Sequence, residues 1–256
     1  LNLIRFGSVG IILLVFFLAF CTKMPMRRTD FLKISMIGLL FFAAFPILCA
    51  YGLELTTASR GGLIYATMPI VTMIMAAIFK IEKLTLIKTS AVFLAVCGIL
   101  LALADQQSIL PTNKSFQGDI LLMGSVLCSS IFVVFSGHFM RIYGNLRVQV
   151  TAIISGVTLS FFLTLFFGQP IGQILEFDSI GWLSILFLIL PGGVLMMYCW
   201  GRALMIITPT QAAISLGFNP IMAMLLGIWL LDEIITSQFL IGFFLLFIAI
   251  ILCNKR

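Results

Sequence analysis

Nine apolar runs, each about 20 residues long and with at most one charged residue, near its start, constrain this chain more than anything else in it. They fall at approximately 3–21, 34–53, 61–79, 85–104, 119–140, 148–167, 181–200, 208–231 and 236–253. A hydrocarbon core about 30 Å thick is crossed by roughly 20 apolar residues in a helix. Inside it each backbone N–H and C=O must be satisfied within the protein, so runs of this length are read as membrane helices. Composition removes the alternative of a soluble core: 62% of the 256 residues are hydrophobic and 9% charged, where soluble domains carry about 25% charge. With 25 Phe and 13 Met and a mean hydropathy of +1.23, there are too few polar side chains to cover a water-facing surface. A soluble enzyme, a disordered chain and a nucleic-acid binder are all excluded. The segment Leu1–Thr22 lacks a small-residue cleavage pattern and is followed by eight more spans, so it reads as a membrane helix rather than a signal peptide.

The few charges orient the chain. Lys and Arg accumulate in cytoplasmic loops, and alternate connections here hold 12 of the 15 basic residues, among them Lys23, Arg27, Arg28, Lys80, Lys83, Arg141, Arg202 and Lys255. Seven of the nine acids, including Glu54, Asp119, Asp178 and Glu233, fall on the other side. The reading is a multi-pass plasma-membrane protein with a cytoplasmic C-terminus. Its formal charge of +6 therefore carries no message about an anionic partner. Six cysteines without CxxC spacing are read as buried thiols, small hydrophobes rather than disulfides or metal ligands. No cofactor or metal is implied.

Comparing the chain with itself reveals a repeat. At a constant offset of 151, residues 49–103 overlay 200–254 with Thr57/Thr208, Pro69/Pro220, Glu82/Glu233 and Thr85/Thr236 identical. Recurring Pro, Glu and Thr mean more than recurring Leu in so apolar a chain. Glu82 and Glu233 lie on opposite sides by the charge rule, so the repeats are inverted, and each unit needs an odd number of helices. The second, 118–254, shows five; the first, 1–105, shows four. The expectation is an all-α polytopic membrane protein with nine visible helices of a ten-helix, 5 + 5 inverted-repeat fold. The missing helix would precede Leu1 in a protein of roughly 290 residues.

Inverted repeats are the common build of secondary transporters, with a midplane site where matching helices are interrupted by Pro or Gly. Pro69 and Pro220 each sit near mid-helix, and a proline frees the carbonyl four residues back, here that of Tyr65 or Leu216. A symmetric pair favours a hinge or cavity wall over a simple kink. Asn219, polar at the bilayer centre, either lines that cavity or makes an interhelical bond. Tyr65, Gln211 and Ser215 are further cavity candidates. Trp200, with Tyr51 and Tyr198, lies near a helix end, where interfacial anchoring competes with a cavity role. Glu54 and Arg60, with Arg5, form either an outer gate or solvated boundary charges. Glu82 and Glu233 are turn acids or ion-pair gates, each followed by a Thr placed to cap the next helix.

The string YGLELTTASRGGLIYATMPIVTMIMAAIFKIEKLTLIKTSAVFLAVCGILLAL resembles the first EamA-type module of the drug/metabolite transporter superfamily. It runs through a Thr–Ala–Ser helix start, a mid-helix Pro, a turn Glu and a Gly in the next span. ALMIITPTQAAISLGFNPIMAMLLGIWLLDEIITSQFLIGFFLLF resembles the second module, and NLIRF the Arg-bearing start of the family's second helix. The resemblance implies a ten-helix transporter working by alternating access, with Pro69 and Pro220 on its paired midplane prolines and Glu82 and Glu233 on its turn acids. It implies no particular substrate; relatives move amino acids, drugs, nucleotide-type metabolites or sugar derivatives.

Rival classes lack their chemistry. One His rules out an HExxH zinc site, and no DDxxD, GxGD or GxSG-type site is present, so an intramembrane enzyme is disfavoured. A scaffold or sensor that kept the fold without transport is the main alternative. The expected partners are the lipid bilayer and a small organic solute, with export favoured, no nucleic acid, and a monomeric or homodimeric state.

Overall fold

The computed structural model describes residues 2–20, 25–56, 58–102, 113–167, 178–217, 219 and 237–254. These residues form helices joined by short turns, and no strand occurs among them. We number the helices α1 (Asn2–Phe20), α2 (Arg28–Leu55), α3 (Ala58–Ala66), α4 (Met68–Ile78) and α5 (Leu86–Ala102). They continue as α6 (Asn113–Tyr143), α7 (Asn145–Phe167), α8 (Ser179–Ile189, Leu190–Leu195 and Met196–Ile206 in one run), α9 (Pro209–Leu216) and α10 (Ser237–Asn254). Arg28–Leu55, Phe116–Tyr143, Asn145–Phe166 and Gly181–Ile206 are each long and apolar enough to cross a membrane. Leu3–Ala19, Ile64–Ile78, Leu86–Leu101 and Leu240–Cys253 are shorter apolar helices. The protein is an all-α polytopic membrane protein.

Helix boundaries repeat at the offset read from the sequence. The starts at Arg28, Ala58 and Leu86 return at Ser179, Pro209 and Ser237, each 151 residues later. Even the irregularities correspond. Helix α2 carries a π-helical turn at Leu40–Ala44, and α8 carries one at Leu190–Leu195. The first is followed closely by Pro46 and the second contains Pro191, neither of which can donate to the carbonyl one turn back. Ser160 Oγ reaches the carbonyl of Phe42, four residues before Pro46, at a long 3.5 Å.

The helices form two compact units, each drawing from both halves of the sequence: Leu1–Pro46 with Phe135–Ile206, and Ile47–Val134 with Ile207–Arg256. In the first unit α7 is central and packs against α1, α2 and α8. Small residues bring the backbones together, as expected where lipid supplies no hydrophobic drive between helices. A Cβ on Gly38 would enter the backbone of Ala152, and one on Gly156 would strike Phe42 and lie 2.9 Å from the Gly38 carbonyl. Phe42, 1% exposed, meets Phe6 edge to face with centroids 5.4 Å apart. Gly144, with φ at +85°, supplies the left-handed residue that ends α6, its N–H on the Met140 carbonyl at 3.0 Å.

The second unit is built on the repeat partners α5 and α10, which pack against each other at Gly98. A Cβ there would sit 2.8 Å from the Gly242 carbonyl. Around this contact Met73, Val92, Ile99, Ile214 and Leu246 form a buried cluster. It holds the short helices α4 and α9 against the α5–α10 pair.

Candidate functional site

Helices α3 and α4 are one membrane-directed run broken at Thr67. Pro69 stands in the first turn of α4 and is buried; having no N–H, it cannot continue the ladder from α3. Thr67 closes the end of α3 instead. Its N–H reaches the Ile64 carbonyl at 3.0 Å, its hydroxyl donates to the same carbonyl at 2.6 Å, and its own carbonyl accepts from Val71 N–H at 3.1 Å. The discontinuity therefore falls where the mid-helix proline predicts it.

A ladder of polar contacts ties this broken run to α6. The Tyr65 hydroxyl and Ser125 Oγ share a hydrogen bond of 2.7 Å. One turn on, Ser129 Oγ points at Met68 Sδ at 3.9 Å, and Thr72 Oγ1 donates to Ser130 Oγ at 3.0 Å. Thr72, Ser125, Ser129 and Ser130 are buried. The run is thus faced by neutral serine hydroxyls of α6 on both sides of the break. Sequence reading singled out Tyr65 and Pro69 but not the α6 serines. Their 125/129/130 spacing, one turn of helix, was the available signal.

At the far end of α4 the chain reverses through Lys80, whose φ of 55° is left-handed and rare for a residue with a Cβ. The N–H groups of Ile81 and Glu82 return to the Ala76 carbonyl at 2.9 and 3.1 Å. This reversal sets the Glu82 carboxylate against the start of α9. There Oε2 accepts from the Thr210 hydroxyl at 2.8 Å and from the Thr210 N–H at 3.2 Å. Lys88 Nζ donates to Oε1 at 2.5 Å. Burial pushes the Glu82 carboxyl up, but the Lys88 and Thr210 bonds outweigh it and hold the group below its ordinary range. A carboxylate at a helix N-terminus also meets the positive end of the helix dipole. Thr85 caps α5, as its place in the sequence predicts, accepting from Lys88 N–H at 3.3 Å.

Gln211 belongs to the same helix start. Its Oε1 accepts from Thr208 N–H at 2.9 Å within a capping box, and its Nε2 donates to the Cys253 carbonyl at 3.1 Å. The Ser215 hydroxyl returns to the Gln211 carbonyl at 2.9 Å. Asn219 is helical and exposed. Trp200 is half-buried on α8, beside Gly201, where the Asn145 and Gln149 side chains abut the backbone. Glu54 is exposed near the end of α2, two residues before Thr56, which donates to Asp119 at 3.2 Å. Arg5 has its described contacts in the first unit, on Gly192 and Phe6. Pro220, Glu233 and the Arg60 side chain lie outside the described residues.

The structure thus brings Tyr65, on the run that breaks at Pro69, together with α6, and brings Glu82 and Gln211 together at the start of α9. Thr210 and Lys88, the partners of Glu82, were missed by sequence reading, since a Thr after TP looks like a capping residue alone. At the repeat offset, Glu82 and Thr210 correspond to Glu233 and Ser59, again an acid and a hydroxyl.

A polytopic helical chain with a broken membrane helix and irregular turns at repeat-related positions has the build of a membrane transporter. The EamA-like transporter family matches residues 1–104 and 116–255. The chain belongs to that family. A stretch of 110 residues, 43% of the chain, is 29% identical to the uncharacterized transporter YcxC of Bacillus subtilis (strain 168) and spans 35% of that protein's length. A crystal structure of another protein superposes with a TM-score of 0.83 at 15% identity, covering 99% of this chain and 87% of the other. That likeness concerns the fold alone.

Proposed function

We propose that the protein is a secondary transporter that moves small organic metabolites across the plasma membrane by alternating access, rather than an enzyme. Amino acids and other amphipathic solutes are the favoured cargo, and export the favoured direction. The observation that carries this reading is the break at Thr67–Pro69 with neutral hydroxyls facing it from α6. Ends of half-helices offer backbone groups to a solute without placing a charge in lipid. In this reading Tyr65, Pro69, Ser215 and Asn219 border the solute path in a 5 + 5 inverted-repeat protein. Glu82 acts as a cytoplasmic latch, tying the turn after α4 to the start of α9, and its release accompanies opening. Glu54, Arg60 and Glu233 serve the outer side.

Counterflow in proteoliposomes tests the proposal. Vesicles loaded with an unlabelled metabolite pool should transiently accumulate a labelled member of that pool above equilibrium. Accumulation that never exceeds that of empty vesicles, across amino acids, sugar derivatives and amphipathic cations, would leave a non-transporting scaffold as the better reading.

A further inference from the structure

Arg5 is a charge held against the apolar interior of the first unit. Helix α1 meets the π-helical turn of α8 where a Cβ on Gly193 would strike Val9, so the close approach depends on that glycine. This register lets Arg5 Nη2 donate to the Gly192 carbonyl at 3.3 Å. Gly192 lies near the centre of the 26-residue apolar stretch Gly181–Ile206, so the guanidinium is directed toward the bilayer interior. Its other described contact is the Phe6 ring, 5.3 Å from Cζ to centroid.

Among the described residues these contacts supply no countercharge to the cation. A guanidinium has five N–H donors, and one long bond to a neutral carbonyl uses a single one. The Nε is buried and has no partner among the described residues. Both described acids of this unit are engaged elsewhere. Asp30 accepts from the Tyr143 hydroxyl at 2.6 Å, and Asp178 caps α8 through Gly181 N–H at 2.8 Å. Intramembrane cations are costly unless paired. The Gly192 backbone is uncrowded: a Cβ built there would meet only the Phe187 carbonyl, at 3.5 Å.

We propose that Arg5, beside the bare backbone of Gly192, is a binding site for an oxyanion, a carboxylate or phosphate group that its planar fork can grip through two parallel bonds. If the transport reading holds, the oxyanion belongs to the solute, which makes Arg5 a specificity-determining residue. An anionic lipid headgroup offers the same chemistry, and the experiment separates the two sources.

Purified protein in phosphatidylcholine nanodiscs is unfolded thermally, followed by tryptophan fluorescence, with matched probes: benzoate against benzamide, L-phenylalanine against its amide, and inorganic phosphate. The expected result is a saturable rise in Tm of about 2–4 °C with oxyanions, none with amides, and loss of the difference in Arg5→Gln. Arg5→Lys, which keeps the charge without the fork, should retain the preference with about tenfold weaker binding, and it decides the matter if Arg5→Gln does not fold. Should the lipid be the source, phosphatidylglycerol discs raise Tm in the wild type but not in the variant, and abolish the response to soluble acids. Equal effects of acids and amides, an undiminished preference in Arg5→Gln, or no shift with either soluble oxyanions or phosphatidylglycerol would each overturn the proposal. Counterflow without oxyanion preference removes the Arg5 role alone. Its absence for every solute removes the carrier reading and leaves the Tm result to stand by itself.

Discussion

At the scale of residues, two neighbours in one turn carry opposite costs. Lys80 holds a left-handed backbone that costs a residue with a Cβ about 1–2 kcal/mol, and glycine would remove that strain while gaining freedom in the unfolded chain. Lys80→Gly should therefore stabilise the protein by about 0.5–1 kcal/mol, seen as a higher Tm in detergent. An unchanged or lower Tm would deny the strain. Glu82 acts the other way. Its folded pKa is depressed, so its stabilisation is fully present above its ordinary value of 4.5 and is lost as pH falls through the folded value. Glu82→Gln should lower Tm at pH 7 by about 2–4 °C and flatten the acid limb of a Tm-against-pH curve below pH 5. Combined with Thr210→Val, its effect should be less than additive, because both changes break the same bonds. Strict additivity would mean that Glu82 and Thr210 act independently.

Among elements, the helix pairs were set by small residues and the break by a proline. Gly38→Val places side chain in the backbone of Ala152 and should cost about 1–3 kcal/mol. Gly124→Ala, whose Cβ would stand 3.4 Å from a Leu48 methyl, should change stability by no more than about 0.5 kcal/mol. A thermal-unfolding comparison of the two checks that close approach, not glycine as such, matters. Pro69→Ala restores the N–H that α4 lacks, so it should leave the fold intact and reduce counterflow at least tenfold; undiminished counterflow would make the break incidental. Much of this level was legible beforehand. Long apolar runs located the helices, and the Pro69/Pro220 and Glu82/Glu233 pairs gave the offset at which helix starts recur. What sequence did not show was side-chain partnership. Ser125, Ser129 and Ser130 look like any small residues in an apolar run until α6 lies beside α3 and α4. Thr210 becomes a partner of Glu82 only once Lys80 turns the chain back. Arg5 reads as a boundary charge near the start of its helix, because no periodicity reveals that α1 sits at the middle of α8.

For the whole molecule, the charge distribution and the repeat bear on two proposals, the orientation of the chain and its alternating access. Basic loops predict a cytoplasmic C-terminus; a C-terminal reporter active only in the cytoplasm would bear this out, and one active only outside would reverse the orientation. The central claim is alternating access, and sided labelling tests it most directly. In a background with the six native cysteines replaced, Ser215→Cys would be challenged with a small, membrane-impermeant thiol reagent from each side of oriented vesicles, with and without a transported solute. The account predicts labelling from both sides, in proportions that the solute shifts. Labelling from one side only, unchanged by any solute that the protein moves, would contradict it.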